Sequence, residues 1–486
     1  MKRRSLPLAA CAAVLGAAVL AQPQARALAG GSPGAAPAAL DREAAKVAQN
    51  PDSAEFTLSP GWASVAGLAV DRRGDLVVVG SVSSDRFPVT DGAASTSCRA
   101  WNGALQVLSR DGAVLYSTCL GGERAVSFEF RKPAVAAVDD DSVWLVANTR
   151  LNEHGNLTVW RLAPGRASLD EVFVSRLLSD CVIAAAPGAA VWLACRGYGG
   201  LPTVNAWQPT YGGNGDVVVM RFEPGRREPA LLSYLGGPSI EGPHGLAVAR
   251  DGDLVVVGGM YGPGFPFVRP FQPMADGAYN LFVARLDKSG RWLEFSSPFE
   301  VRAYSSAQVA VDGSGNTFVL AMPTASFPPP ATRPGTWNPE QDVYMIELDP
   351  AGELRQLTMI EPGFQTRVAP YESLYGHHVA ARADGSLLLV RTFSLGYGTR
   401  NGSYGSYGGG AIVSFLDRFG RAIREVEYVE LESGGAWAPW LVASGPRDLY
   451  VAGTRPGWPA DWVVKRAGLD RAERDRTPPA GGAGKR

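Results

Sequence analysis

Residues 67–80 read GLAVDRRGDLVVVG, and residues 245–258 read GLAVARDGDLVVVG. Each stretch has an apolar segment, a polar turn with glycine and a second apolar segment, a pattern typical of a β-hairpin. The two copies are nearly identical although they lie far apart in the chain. Five further hairpins of the same pattern begin at Ala134, Val182, Gln308, Val379 and Leu441. Seven hairpins of one design indicate an internally repeated fold.

A second repeated element follows each hairpin. It is an apolar strand closed by a turn that contains glycine, as in NLTVWRLAPGR from Asn156 and DVVVMRFEPGR from Asp216. The turn glycines recur roughly every 60 residues, at Gly112, Gly165, Gly225, Gly290, Gly352 and Gly420. Another strand comes after the turn, as in YSTCLGG from Tyr116. Each unit therefore has four strands, A to D, with a loop between B and C, and such units in line predict the blades of a β-propeller.

The count of units predicts an all-β fold, a single seven-bladed β-propeller over residues 55–467. The seventh unit supplies strands A, B and C but no strand D, because the polar tail begins after the segment DWVVKRAG from Asp461. Glu55–Ser59 resembles a strand D. We expect this N-terminal strand to complete the last blade by pairing with Trp462–Arg466, which removes an open sheet edge. A solenoid of stacked sheets is the alternative, but it requires capping segments that we do not find.

The two ends of the chain differ in composition from the repeats. Residues 1–27 predict a signal peptide, with positive charges at Lys2 to Arg4, an apolar run at Leu6–Ala21 and small residues at Ala25 and Ala27. Two alternatives stay open: an uncleaved membrane anchor, although the run is shorter than the ~20 residues of a spanning helix, and a lipoprotein anchored at Cys11, which lies too early in the run. Residues 28–54 form an Ala/Gly/Pro-rich linker, and residues 468–486 form a polar tail predicted to be disordered.

Charge and hydropathy limit the partners. The 46 Lys and Arg residues balance the 47 Asp and Glu residues, so no basic field recruits nucleic acid. Outside the signal segment, no apolar stretch approaches the length of a membrane span. We therefore expect a secreted or periplasmic protein of the cell envelope, without a membrane span after signal cleavage, and a monomer.

The cysteines point to the same compartment. Removal of Cys11 with the signal peptide leaves four, an even number that suits disulfide bonds in an oxidising environment. Cys181 and Cys195 flank a hairpin whose turn is centred on Gly188 and Ala189, so they face each other across the two strands and predict one disulfide. Cys98 with Cys119 is a second candidate. The alternative is that all four are small buried apolar residues.

The repeats resemble the SBBP repeat family of bacterial extracytoplasmic β-propellers. The first unit carries the resemblance most clearly: GLAVDRRGDLVVVGSV is followed by FPVTDGA from Phe87 and by YSTCLGG from Tyr116. The Phe-Pro step recurs at Phe265 and Phe327, and the strand end recurs as SYLGG from Ser233. Units two, six and seven are degenerate, and unit two has lost its long B–C loop. The resemblance implies a propeller fold and an envelope or secreted location, and it implies no particular reaction.

Candidate ligand-binding residues come from the segments expected at the mouth of the central channel. Strand A of a blade lines the channel, so residues just before it and residues of the B–C loops share one face. The candidates are His244 and His378 before strand A of units four and six, Glu241, Glu372 and Trp437 on connections between units, and Tyr261 and Trp337 on B–C loops. Most such residues in a propeller are solvated loop residues or pack locally, so these remain candidates.

The sequence favours a binding or scaffold module for a protein, peptide or glycan, acting through this face. The alternative is an extracytoplasmic enzyme, a lyase or a glycoside-active protein, that uses the histidines and carboxylates of the channel mouth. No catalytic motif is present, and no cofactor is predicted. Asp312–Asn316 resembles the start of a calcium loop, but no Glu stands at the twelfth position, so a hairpin turn is expected and no metal is predicted.

Overall fold

The computed structural model describes residues 54–468 except 60, 83–86, 97, 100–101, 123, 129–133, 139, 152–153, 167, 274–278, 301–306, 322–342, 362–376, 382–385, 395–396, 401–402, 407–408, 417–421, 430–437, 445–447 and 456–460. Some strand residues, His377 and His378 among them, are described by their backbone alone. The signal segment, most of the linker and the tail predicted from the sequence lie outside the described residues.

In the described part of the chain, seven antiparallel sheets form the blades of a seven-bladed β-propeller, as the repeats predict; six have four strands, and in blade 2 the innermost strand is divided into two short strands. The first strand is β1 (Ala54–Thr57). Blade 1 consists of β2 (Trp62–Val70), β3 (Leu76–Val82), β4 (Gly103–Leu108) and β5 (Val114–Leu120). Blade 2 consists of β6 (Ala125–Ser127) and β7 (Val135–Ala137), which both pair with β8 (Val143–Leu151), followed by β9 (His154–Leu162) and β10 (Leu169–Ser175), with a 3-10 turn at Pro164–Arg166.

Blades 3 to 5 follow the same order of strands. Blade 3 consists of β11 (Leu178–Ala186), β12 (Ala190–Gly197), β13 (Asp216–Phe222) and β14 (Leu231–Leu235). Blade 4 consists of β15 (Ile240–Val248), β16 (Leu254–Tyr261), β17 (Tyr279–Leu286) and β18 (Leu293–Glu300). Blade 5 consists of β19 (Gln308–Val311), β20 (Thr317–Ala321), β21 (Val343–Leu348) and β22 (Leu354–Glu361).

Blades 6 and 7 differ from this order of strands. Blade 6 consists of β23 (His377–Ala381), β24 (Leu387–Ser394), β27 (Gly409–Leu416) and β28 (Ala422–Val429), with a separate hairpin of β25 (Tyr397–Arg400) and β26 (Ser403–Ser406) between its second and third strands. Blade 7 consists of β29 (Ala438–Ser444), β30 (Asp448–Arg455), β31 (Asp461–Gly468) and the N-terminal β1.

The strands of this fold are apolar on both faces because each blade lies between two others. In β3, Val77 and Val79 pack towards blade 2, whereas Leu76 and Val78 pack towards blade 7, and all four are 0% exposed. This explains the uninterrupted run LVVV, since a half-exposed strand would alternate apolar and polar residues. The burial of each such side chain stabilises the fold by about 1.5–3 kcal/mol. The core therefore consists of apolar layers between neighbouring blades.

The ring closes as the missing strand predicts. Phe56 pairs with Val464 and Thr57 with Val463, and the Leu58 N–H donates to the Trp462 carbonyl at 2.8 Å. The strand also contacts blade 1, because a Cβ on Gly112 would lie 2.5 Å from the Phe56 ring. Innermost strands of blades 1 and 7 pack together, which excludes the open solenoid.

The two ends of each blade have different roles. The A–B and C–D turns lie on one face of the ring, and polar contacts there join neighbouring blades. Arg110 of blade 1 donates two hydrogen bonds to Asp448 of blade 7, both of 2.8 Å, and Arg285 of blade 4 donates to the Gly315 carbonyl of blade 5 at 2.8 Å. The B–C loops and the D–A connections lie on the other face, which we call the B–C face. Among the described candidates, Glu241, His244 and Tyr261 lie towards that face.

In the described part of the chain, no helix has the length and apolarity needed to cross a membrane.

Candidate functional site

The described part of the B–C face brings several candidate residues together where blade 3 meets blade 4. Glu241 and His244 lie in β15, the innermost strand of blade 4, and Tyr261 is the last residue of β16. The sequence placed His244 before strand A and Tyr261 on a loop, and both placements are wrong. The strand pair is longer than predicted because a bulge between Pro243 and Gly245 leaves His244 outside the register and allows pairing to continue to Ile240 and Tyr261.

Glu241 is a buried carboxyl rather than a residue exposed at the channel mouth. Its side chain is 0% exposed, and its backbone N–H donates to the Gly215 carbonyl of blade 3 at 2.7 Å. Oε2 accepts the Gly237 N–H at 3.3 Å, whereas Oε1 has no hydrogen-bond partner among the described residues. The sequence placed this residue on the connection between units, whereas it lies inside β15, and nothing in the sequence indicated that it turns inward towards blade 3.

A second buried carboxyl, Asp216, lies next to Glu241. Both flank Gly236: a Cβ on that glycine would lie 2.7 Å from Asp216 Cγ and 2.8 Å from Glu241 Oε2. Asp216 begins β13 and accepts the backbone N–H groups of Gly212 at 2.8 Å and Gly213 at 3.2 Å. Sequence reasoning did not single out Asp216 as a site residue. The signal was present, because Asp or Asn also begins the copies at Asn156, Asn280 and Asp342.

Burial dominates the ionisation of this pair. It raises the pKa of Glu241 to about 7, with a further contribution from the charge of Asp216, and the Gly237 N–H opposes the change. Burial also raises the pKa of Asp216, which the N–H groups of Gly212 and Gly213 partly offset. The Asp216 carboxylate is thus stabilised by backbone donors, while Glu241 retains its proton to a much higher pH than an ordinary glutamate.

His244 is part of a hydrogen-bonded aromatic group. The Tyr279 hydroxyl and His244 Nε2 share a hydrogen bond of 3.2 Å, and the Tyr279 ring packs edge-on against Tyr261 with centroids 4.9 Å apart. Gly259 makes room for this arrangement, since a Cβ there would lie 2.2 Å from the Tyr279 hydroxyl. The sequence did not identify Tyr279.

Three large apolar side chains are exposed above these groups: Tyr198 at 45%, Ile240 at 41% and Tyr261 at 42%. We call them the apolar patch. They are contiguous through the backbone, because Ile240 pairs with Tyr261, Glu241 bonds to Gly215, and a Cβ on Gly215 would lie 3.9 Å from the Tyr198 ring. Arg196 borders the patch beside Gly215, and its guanidinium lies 3.6 Å from Asp180.

Both predicted disulfides are present. Cys181 and Cys195 join β11 to β12 with their Cα atoms 4.0 Å apart, and Cys98 and Cys119 join the B–C loop of blade 1 to β5 with their Cα atoms 5.5 Å apart. All four cysteines are buried. Cys181 lies inside strand A of blade 3 rather than before it, next to a bulge between Ser179 and Val182. The hairpin register thus predicts the pairing correctly.

For the other candidate ligand-binding residues, the structure describes no side-chain contacts. Glu372, Trp337 and Trp437 lie outside the described residues, and His378 is described only by its backbone in β23, where it pairs with Val390. Like His244, His378 lies within strand A and not before it.

The turn at Asp312 is a hairpin turn, as expected. Asp312 Oδ1 accepts the N–H groups of Ser314 at 2.8 Å and Asn316 at 2.9 Å, and Oδ2 accepts the Asn316 side-chain amide at 2.9 Å. Both carboxylate oxygens are therefore engaged by donors within the turn. Within the described ranges, no group of three or more His, Cys, Asp or Glu side chains is arranged to hold a metal ion.

Comparison with known proteins shows similarity of fold alone. No family model matches the chain, so the resemblance to SBBP repeats stays a prediction, and no curated protein sequence matches it. Similar solved structures include the polysaccharide lyase Uly1, with 9% identity, a TM-score of 0.47, and coverage of 83% of this chain and 90% of that one.

Two further similar structures differ in their described activities. The β-propeller domain of the Trilobed protease from Pyrococcus furiosus has 8% identity and a TM-score of 0.44, over 85% of this chain and 97% of that one. The alpha-L-arabinanase of Penicillium chrysogenum has 12% identity and a TM-score of 0.39, over 70% of this chain and 94% of that one. Identities and TM-scores this low carry no argument about what this chain binds or does.

Proposed function

We propose that this chain is an extracytoplasmic binding module whose ligand site is the apolar patch at the junction of blades 3 and 4. The observation that carries the proposal is the exposure of Tyr198, Ile240 and Tyr261 on segments that are joined by backbone pairing. Exposed tyrosines supply large contact areas with little conformational freedom to lose, which suits recognition of a ligand.

The two disulfides and the predicted signal segment support a location outside the cytoplasm, since disulfides persist in oxidising compartments. The mass of the protein purified from the envelope or the medium tests this location. We expect a chain shortened at its N terminus and no thiol that reacts with an alkylating reagent before reduction. An intact N terminus with five reactive thiols, Cys11 included, would contradict it.

The binding role is tested by probing glycan and peptide arrays with the labelled protein. We expect specific binding by the wild type and its loss in the double variant Tyr198→Ala/Tyr261→Ala. Trp292→Ala is the matched control, because Trp292 is 71% exposed on the C–D turn of blade 4, on the opposite face. Loss of binding in the control but not in the double variant would place the site elsewhere and overturn the proposal.

A second candidate function is an enzyme, favoured by the hydrogen bond between His244 and Tyr279 and by Glu241, a glutamic acid of the same strand as His244 whose pKa is about 7. Such groups are able to exchange protons with a substrate near neutral pH. Polysaccharides bound on the array are incubated with the protein, and shortened or unsaturated products are measured. Product formation that His244→Ala abolishes, with binding retained, would establish this function; no product from any bound polysaccharide would exclude it for that ligand.

A further inference from the structure

We infer that the apolar patch takes a neutral glycan, a saccharide chain without carboxylate or sulfate groups, stacked on Tyr198 and Tyr261. This inference rests on the proposed binding function and names its ligand class. It depends on three observations: the charge of the segments around the patch, the way the two rings are held, and the polar groups between them.

The loops that carry or adjoin the patch contain few charged residues. Residues 198–215, 236–240 and 262–268 contain no Asp, Glu, Lys or Arg, in a chain that is 19% charged overall. Arg196 at the border is matched by Asp180 at 3.6 Å, and Arg176, which is exposed, precedes Leu177, whose carbonyl accepts the Tyr198 N–H. The two carboxyls beneath the patch are buried, and Glu241 holds its proton up to about pH 7. A polyanionic chain would therefore find Arg176 but no cluster of cationic side chains in these segments, and the adjacent carboxyls would oppose it.

The two tyrosines are held in place before any ligand arrives. The Tyr198 N–H donates to the Leu177 carbonyl at 3.0 Å, and the Tyr198 carbonyl accepts the Tyr234 hydroxyl at 3.0 Å. Tyr261 pairs with Ile240 on one side and Tyr279 on the other, and its ring packs against the Tyr279 ring. Because the Tyr198 backbone and the Tyr261 ring are held by these contacts, binding costs little ordering of the main chain at the patch. Rigid exposed rings suit the flat apolar faces of sugar rings.

Neutral polar groups lie between and beside the rings. Gly199 and Gly200 are exposed, and as glycines they have no side chain of their own to cover their backbone peptide groups. Asn214 is exposed and Ser239 is half-buried on the same face. Peptide, amide and hydroxyl groups both donate and accept hydrogen bonds, as sugar hydroxyls do. An extended peptide would instead need an open strand edge, and Tyr261 is already paired on both sides.

The test is affinity gel electrophoresis of the purified protein. The gels contain a neutral polysaccharide (laminarin, xyloglucan or galactomannan), an anionic one (polygalacturonate or alginate), or none. We expect retardation by at least one neutral polysaccharide and by neither anionic one. Tyr198→Ala and Tyr261→Ala should each weaken the affinity about tenfold or more, whereas the phenylalanine variants and Trp292→Ala should keep it. Raising the salt concentration should leave the affinity unchanged, since no charge pair forms. Circular dichroism and melting temperature verify that each variant is folded.

The outcomes separate this inference from the proposed function. Binding to the anionic polysaccharides alone, or to array peptides alone, with the same sensitivity to Tyr198→Ala and Tyr261→Ala, would overturn the glycan inference and leave the binding site in place. Binding that neither tyrosine variant weakens would overturn both, as would the absence of binding to every glycan and peptide tested.

Discussion

Blades 1 and 3 use the same position of the repeat in two different ways. Asn102 precedes Gly103, which pairs with Leu120, and Asp216 precedes Val217, which pairs with Leu235, so the two positions are equivalent. In blade 1 the buried Asn102 amide donates to the Gly122 carbonyl at 3.1 Å and the Arg124 carbonyl at 2.9 Å.

In blade 3 the equivalent side chain is an acid, and it faces another acid. Asp216 donates no hydrogen bond to the D–A connection that follows its blade. It accepts hydrogen bonds from the B–C loop of blade 3 and lies beside Glu241 of blade 4. The amide in blade 1 satisfies its carbonyl partners at every pH, whereas the acid pair leaves Glu241 Oε1 without a partner among the described residues. The backbone repeat is thus preserved while the side chain that precedes strand C changes from an amide to an acid. Of these two sites, only the one in blade 3 has a protonation state that changes with pH.

The largest difference between the two blades should follow removal of the N-terminal strand. Deleting the chain up to Ser59 takes away β1, with Phe56 and Leu58, and should cost several kcal/mol, because it exposes the edge of β31 and the side of blade 1. Hydrogen exchange should show lost protection in blades 1 and 7 and retained protection in blade 3. An unchanged melting temperature would contradict closure by β1.

The disulfides of blades 1 and 3 should contribute similar amounts to the free energy of unfolding. Cys98→Ala/Cys119→Ala and Cys181→Ala/Cys195→Ala should each lower the free energy of unfolding by about 3 kcal/mol. The blade 1 bond spans 21 residues and the blade 3 bond 14, so the first should contribute slightly more through the larger closed loop. Denaturant midpoints of the two double variants measure this. A much larger loss for the blade 3 variant would show that loop closure is not the main cause.

Converting the amide corner into an acid should be destabilising. Asn102→Asp replaces the donor that holds two carbonyls by a carboxylate that repels them, and we expect a loss of about 2 kcal/mol at neutral pH. The loss should shrink at acidic pH, where a protonated carboxyl donates one bond. A variant as stable as the wild type at neutral pH would mean that the Asn102 amide does not hold the connection.

Replacing one acid of the Asp216 and Glu241 pair by an amide, as in Glu241→Gln, should have the smallest effect on the free energy of unfolding, and it should be stabilising. Glu241 has a pKa of about 7 in the folded protein against 4.5 for an ordinary glutamate. The unfolded chain therefore loses this proton first, and stability falls as the pH rises from about 4.5 to about 7 and then levels off. Glu241→Gln should remove this fall and stabilise the protein at pH 7 by about 1 to 2 kcal/mol. Melting temperatures across this range test it, and an equally steep decline in the variant would assign it to another group.

The blade count, the closing strand and the Cys181–Cys195 disulfide follow from the sequence because they depend on local pattern and register, whereas Cys98–Cys119 was only a candidate because Cys98 lies in a loop outside the hairpins. A glycine turn marks each C–D corner, and the missing strand D of the last unit requires Glu55–Ser59. The inward position of Glu241 does not follow, because it depends on Gly215, which lies in another blade. Nor does the bulge at His244, since nothing within β15 distinguishes a bulged residue from a paired one. Tyr279 was missed for a related reason: its role arises only when strand C meets strand A across strand B.

Closure by β1 also sets an order of events during synthesis. The strand that completes the last blade is synthesised before all the other blade strands and its partner after them, since Ala54 pairs with Arg466. Blades 1 to 6 are each made of strands near one another in the chain, so they are able to form as they emerge. The final joint must wait for the whole chain, and its closure entropy grows only slowly with the length of chain between. A nascent or truncated chain that ends before Asp461 therefore has no partner for β1, so the ring is able to close only once β31 is available.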